Sequence, residues 1–211
     1  MNKYIWINPV AEKMLEKDID LVKKQLVEKR YEIAICEPQL DYVRNQYVEF
    51  SEKNEGIVLD CRCPEAVELL KRNNTAEKFD IPDIEPILIR TSRVLYDKYV
   101  NSDDDILIVT CPCTQLRDHA ISVFEGIPNI KFYTWKEFRI DEDITPEVKF
   151  DHSPIPLGFF RESFGEESVI ELSDEKEILK GVDEILKSPD QKIKIVEMLY
   201  CKDGCNNGNG I

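Results

Sequence analysis

The segment Asp105-Ile-Leu-Ile-Val-Thr-Cys111-Pro-Cys113-Thr114 opens with a continuous apolar run and ends in two thiols. A short run without polar alternation suits a strand buried on both faces, and such strands belong to parallel sheets covered by helices. Two further apolar segments end the same way. Gly56-Ile-Val-Leu-Asp60 leads to Cys61-Arg-Cys63-Pro64, and Lys192-Ile-Lys-Ile-Val-Glu-Met-Leu-Tyr200 leads to Cys201-Lys-Asp-Gly-Cys205. The carboxyl ends of parallel strands face one crevice, so these cysteines are expected to converge there on a soft-metal or iron–sulfur centre.

Outward from these strands the pattern alternates. Asn8-Pro9 opens a helix whose stripe of Val10, Met14, Leu15, Ile19, Val22, Leu26 and Val27 reads as one amphipathic cover. Tyr31 to Cys36 reads as a strand broken at Glu37-Pro38, and residues 41–52 as a helix. Pro64 opens another helix running to Lys71, and Thr91 to Tyr99 reads as helical. Ile130 to Thr134 is a strand that runs into a helix near Trp135, whereas Asp141 to Phe164 reads as an irregular loop. Ser168 to Leu172 is a strand, followed by a helix over Glu175–Lys187 with Asp174 and Glu177 as a capping-box pair. The expected fold is one α/β domain over residues 1–211, with a mainly parallel sheet flanked by helices and the site at the carboxyl ends of its strands.

Charge narrows the partners. A formal net charge of -14 disfavours nucleic acid and anionic membranes, which reward clustered Lys and Arg. No apolar run approaches the ~18 residues that span a bilayer, and Met1-Asn-Lys-Tyr-Ile-Trp6 lacks the apolar core of a signal peptide. A cytoplasmic location is the expectation. In that reducing compartment disulfides are disfavoured, and a Cys-x-Cys pair is awkward to bridge, so clustered thiols point to metal. Thiolates suit zinc, copper(I) and iron–sulfur clusters, and the Cys-x2-Cys knuckle usual for structural zinc does not occur.

At the three cysteine motifs the sequence resembles the catalytic large subunit of iron-only (di-iron) hydrogenases and the related nuclear prelamin-recognition-factor-like iron–sulfur proteins. Cys61-Arg-Cys63-Pro64 is similar to that family's Cys-Cys-Pro, and Pro112-Cys113-Thr114 to its Pro-Cys-Thr. Glu197-Met-Leu-Tyr-Cys201-Lys-Asp-Gly204-Cys205-Asn-Asn-Gly208-Asn-Gly210 is similar to its Glu-x-Met-x-Cys-x-x-Gly-Cys-x-x-Gly-Gly-Gly, with Met198 one place early and Asn209 for the middle glycine. Ile35-Cys-Glu-Pro38 and Pro156 to Gly165 extend the likeness more loosely.

The resemblance implies Cys63, Cys113, Cys201 and Cys205 as ligands of a 4Fe–4S cluster, with Cys205 also bridging to a di-iron subcluster in the family. It also implies a ferredoxin, or a fused ferredoxin-like or signalling domain, as redox partner. Because hydrogenases continue beyond the position of Gly210, an excised domain of a longer protein is a further implication. Gly204 suits the tight turn between Cys201 and Cys205, and Gly208 and Gly210 suit close main-chain approach to sulfides.

Three departures bear on activity. Arg62 stands where hydrogenases place a proton-transferring cysteine, and a guanidinium does not release protons near neutral pH. Leu116 stands where they place the lysine that pairs with the cyanide ligands, with Arg117 next to it. The short span between Pro38 and Cys61 lacks the segment that carries their acidic relay. The expected function is therefore electron transfer or redox or hydrogen sensing, with hydrogen turnover weak or lost; the alternative is a reduced hydrogenase domain that binds the di-iron subcluster and oxidises hydrogen reversibly.

Cys61 and Cys111 each precede an implied ligand by two residues, as inert strand-end thiols or as additional ligands and redox groups. Cys36 reads as a core residue, and His119 and His152 as surface or satisfied side chains.

Overall fold

The computed structural model describes residues 2–145, 153, 155–188, 190 and 192–205. In chain order its main elements are β1 (Lys3–Trp6), α1 (Pro9–Met14), α2 (Ile19–Glu28), β2 (Tyr31–Ile33), α3 (Leu40–Lys53), β3 (Val58–Leu59), α4 (Pro64–Arg72), α5 (Ile87–Tyr99), β4 (Ile106–Cys111), α6 (Thr114–Val123), β5 (Ile130–Thr134), α7 (Trp135–Asp141), α8 (Arg161–Phe164), β6 (Val169–Ser173), α9 (Glu175–Lys187) and β7 (Ile195–Leu199). The architecture is α/β, and every ladder between its strands is parallel. The strands form two sheets instead of one, of four and three strands. They belong to two compact units, one built from residues 1–38 and 88–154 and the other from 39–87 and 155–207.

In the first unit the strand order is β2-β1-β4-β5. Alternation along β4 sends Ile108 to one face, against Leu15, Val22, Leu26, Trp135 and Phe138. Leu107 and Val109 go to the other face, against Leu88, Leu95, Leu116 and Ala120. The chain leaves β1 towards β2 and leaves β4 in the opposite direction towards β5. The gap between β1 and β4 is therefore the topological switch point, where open parallel sheets form a crevice beyond the strand ends. Asn8 and Thr110 meet there: the Asn8 backbone N–H donates to Thr110 Oγ1 at 2.8 Å, and Thr110 donates to the Trp6 carbonyl at 3.1 Å.

In the second unit the order is β3-β7-β6, and Asp80 extends it by bridging Val58 on the free side of β3. Leu59, Val196 and Met198 pack with Leu70, Ile178 and Val182 of α4 and α9. Val58 and Ile195 face the other way, onto Val43, Tyr47 and Phe160.

Several boundaries differ from expectation. The cover helix over residues 9–28 is two helices, α1 and α2, separated by a turn in which the Asp18 N–H donates to the Leu15 carbonyl at 2.7 Å. The apolar stripe runs through the turn, and Glu16 and Lys17 in it are themselves good helix formers, so periodicity and propensity both hide the break between Met14 and Ile19. Glu177 reaches back to the N–H of Ser173 instead of Asp174, whose own carboxylate caps Lys176 and Glu177. Among the described residues no helix is long and apolar enough to cross a membrane.

Candidate metal centre

In the second unit β3 ends one residue before Asp60, and α4 begins at Pro64 with Cys63 as its N-cap residue. Burial pushes the Cys63 thiol up, the nearby backbone N–H groups of Tyr200 and Ala66 oppose that rise, and the Cys201 thiol adds to it; the sulfur itself caps no N–H of the helix. Backbone N–H dipoles near the sulfur and a second thiol beside it are surroundings that favour a metal-bound thiolate. The loop after β7 carries Cys201 and Cys205 around Asp203 at φ 59° and Gly204 at φ 135°, a conformation that suits glycine. The Asp203 N–H donates to Ser173 Oγ at 3.1 Å, and the Cys205 N–H donates to the Ile155 carbonyl at 2.9 Å. Cys61 donates its N–H to Tyr47 Oη at 2.8 Å. Burial first, and then Asp60, push its thiol up to about 12.

The Arg62 side chain is committed to two carboxylates. Its Nε lies 2.9 Å from Asp60 Oδ1 and its Nη2 2.8 Å from Asp60 Oδ2, a bidentate fork. The same Nη2 donates to Glu197 Oε1 at 3.0 Å. Both carboxylates are fully buried. Glu197 also accepts the backbone N–H of Gly158 at 3.1 Å and of Phe159 at 3.2 Å. Sequence reasoning missed this network, although a carboxylate inside the apolar runs Val-Leu-Asp60 and Ile-Val-Glu197 was a readable signal, because a buried charge needs a partner.

In the first unit Cys113 is the N-cap residue of α6, and its sulfur accepts the Leu116 N–H at 3.4 Å. Cys111 is fully buried at the end of β4, and burial together with Cys113 holds its thiol strongly protonated. The Leu116 side chain is buried. Arg117 pairs with Glu137 and Asp118. Cys36 is half-buried against the core of this unit and donates its thiol to the Glu37 carbonyl at 3.2 Å. His119 is half-buried on α6.

The cysteines thus divide between the units: Cys36, Cys111 and Cys113 in the first, Cys61, Cys63, Cys201 and Cys205 in the second. Among the described residues no three His, Cys, Asp or Glu side chains gather as a metal-holding group. Chemically, thiols at helix N-caps, with the Cys113 sulfur accepting an amide N–H, fit a thiolate-held iron–sulfur group, and the positive-φ turn at Gly204 fits the close spacing of Cys201 and Cys205. His152, Gly208, Asn209 and Gly210 lie outside the described residues. No protein-family model, curated protein or solved structure matches the chain.

Proposed function

We propose that this chain is an iron–sulfur protein of the iron-only-hydrogenase-like type, holding a 4Fe–4S cluster through Cys63, Cys113, Cys201 and Cys205. The observation that carries the reading is shared by the two units. Cys63 and Cys113 each follow a buried parallel strand and stand at the N-cap of the next helix, and the Cys113 sulfur accepts the Leu116 N–H. When bound, the cluster supplies one-electron redox chemistry; the chain contributes the thiolates, the amide donors that tune them and the apolar surroundings.

Electron transfer or redox or hydrogen sensing is the role, in the cytoplasm and with a ferredoxin or a ferredoxin-like or signalling module as partner. Arg62 supports a non-catalytic reading, because its paired carboxylates keep the guanidinium charged. Anaerobic reconstitution followed by iron and acid-labile sulfide analysis tests the proposal, with about four of each per chain expected. Zinc uptake without sulfide would replace it with a structural metal site. Infrared bands of metal-bound carbonyl and cyanide would replace it with the hydrogenase reading.

A further inference from the structure

We propose that Glu197, held by Arg62, is a positioning residue that sets the place of two thiol loops at once, those of Cys63 and Cys205. Arg62 lies between Cys61 and Cys63, so its fork onto Asp60 and its bond to Glu197 fix the backbone that presents Cys63. The same Glu197 carboxylate grips a second segment through the N–H groups of Gly158 and Phe159. That segment begins at Ile155, whose carbonyl accepts the Cys205 N–H. A continuous path therefore runs from the Cys63 loop through Arg62, Glu197 and residues 155–159 to Cys205. Main chain and hydrogen bonds within the second unit make up the path, and the central bonds are charge-assisted and meet on the fully buried Glu197 carboxylate.

Chemistry makes the carboxylate hard to replace. Oε1 accepts from Arg62 and Phe159 while Oε2 accepts from Gly158, so both oxygens are acceptors facing donors. Glutamine has the same shape but must turn an N–H₂ towards one of those donors, which releases either the loop or the guanidinium. Arg62 and Asp60 remain a matched pair in that variant, so no charge is left buried alone.

The inference rests on reading Cys63 and Cys205 as ligands, and its test needs no metal. Full-length, fully reduced, metal-free protein is alkylated with iodoacetamide, and the rate at each cysteine is read by peptide mass spectrometry. In Glu197→Gln the rate at Cys205 is expected to rise about tenfold, the scale of one lost charge-assisted hydrogen bond, while Cys36 and Cys113 in the other unit keep their rates. Glu197→Asp keeps the charge but withdraws the carboxylate from the loop amides. It is expected to show the same selective rise, and it serves if the glutamine variant does not fold. An unchanged rate at Cys205 in a folded variant overturns the inference, as does equal acceleration of every cysteine, which marks a general loss of stability. Failure of the wild-type protein to take up iron would remove the ligand reading and leave the alkylation pattern to decide the positioning role.

Discussion

The guanidinium carbon of Arg62 stands 3.9 Å from the ring centre of Phe159. The ring of Phe160 lies 4.8 Å from the same carbon, so two aromatic faces and two carboxylates enclose one cation. The cation is desolvated, charge-paired and stacked, a role that lysine, with a point charge and no planar fork, does not fill.

Removing that cation strands two buried carboxylates, and Arg62→Met is expected to cost about 3–5 kcal/mol of stability near neutral pH. Its pH dependence follows from Glu197, whose carboxyl burial raises above the ordinary value even with Arg62 opposing the shift. A carboxyl with a raised folded pKa binds its proton more tightly folded than unfolded, so stability is lost as pH rises through the folded value. Without Arg62 the rise is larger, so the deficit against wild type is greatest at neutral pH and shrinks on acidification. Urea denaturation between neutral and mildly acidic pH checks this; a deficit that does not change with pH would show that lost packing, not stranded charge, is the cause.

Ligand assignment is separable by substitution. Cys63→Ser, Cys113→Ser and Cys201→Ser are each expected to lose most of the iron after anaerobic reconstitution. Cys111→Ser is expected to keep it, because that thiol is fully buried at the end of β4. Iron content and the visible charge-transfer bands report both, and full iron in any of the first three would move the ligand set towards Cys61 or Cys111.

At the switch point of the first unit, Asn8 caps α1 by accepting the Ala11 N–H at 3.0 Å and donates to Thr110 Oγ1 through both its backbone and its side chain. Asn8→Ala is expected to destabilise by about 2 kcal/mol, one part from the lost cap and one from the buried hydroxyl left short of a partner. In a double-mutant cycle with Thr110→Val the coupling should be about 1 kcal/mol. Additive effects would mean that the two side chains act independently.

The legible parts of the fold were those with a strong local signal. β4 was readable from its continuous apolar run, β5 from the β-branched and aromatic residues of Ile130–Thr134, and α9 from its capping residue Asp174. β1 was not: Lys3–Trp6 mixes a lysine and two amphipathic aromatics and becomes a central strand only through its partners β2 and β4. α6 was missed for a related reason, since Thr114–Val123 carries polar residues through most of its length and buries little beyond Leu116 and Ala120. The division into two sheets has no local signature, because which strands pair is decided by contacts far apart in sequence. In the site, the positions of the cysteines at strand ends were legible. The direction of the Arg62 side chain was not, because it depends on Glu197, 135 positions away.

Proton handling gives the last expectation. Supplied with a di-iron cofactor and a strong reductant, the chain should evolve little or no hydrogen, since Arg62 is committed to Asp60 and Glu197 and the Leu116 side chain is buried. Absence of a positioned acid costs roughly 10²–10⁴-fold in rate. The double change Arg62→Cys with Leu116→Lys tests whether those two positions are the cause. Gas chromatography of the headspace reads the result, and rapid evolution by the unaltered chain would return the protein to the hydrogenases.

The two units are interleaved along the chain, with residues 39–87 of the second inserted into the first and its remainder following. The central strand of the second sheet, β7, is also the last in sequence among the described strands. On a ribosome adding about 5–20 residues per second, β3 and α4 therefore wait on the order of ten seconds for the strand that completes their core. During that interval the apolar face of α4 and the thiols of Cys61 and Cys63 stand open to solvent, chaperones and oxidants. Oxidation during synthesis is therefore expected to fall on Cys61 and Cys63 before the sheet that follows them is complete.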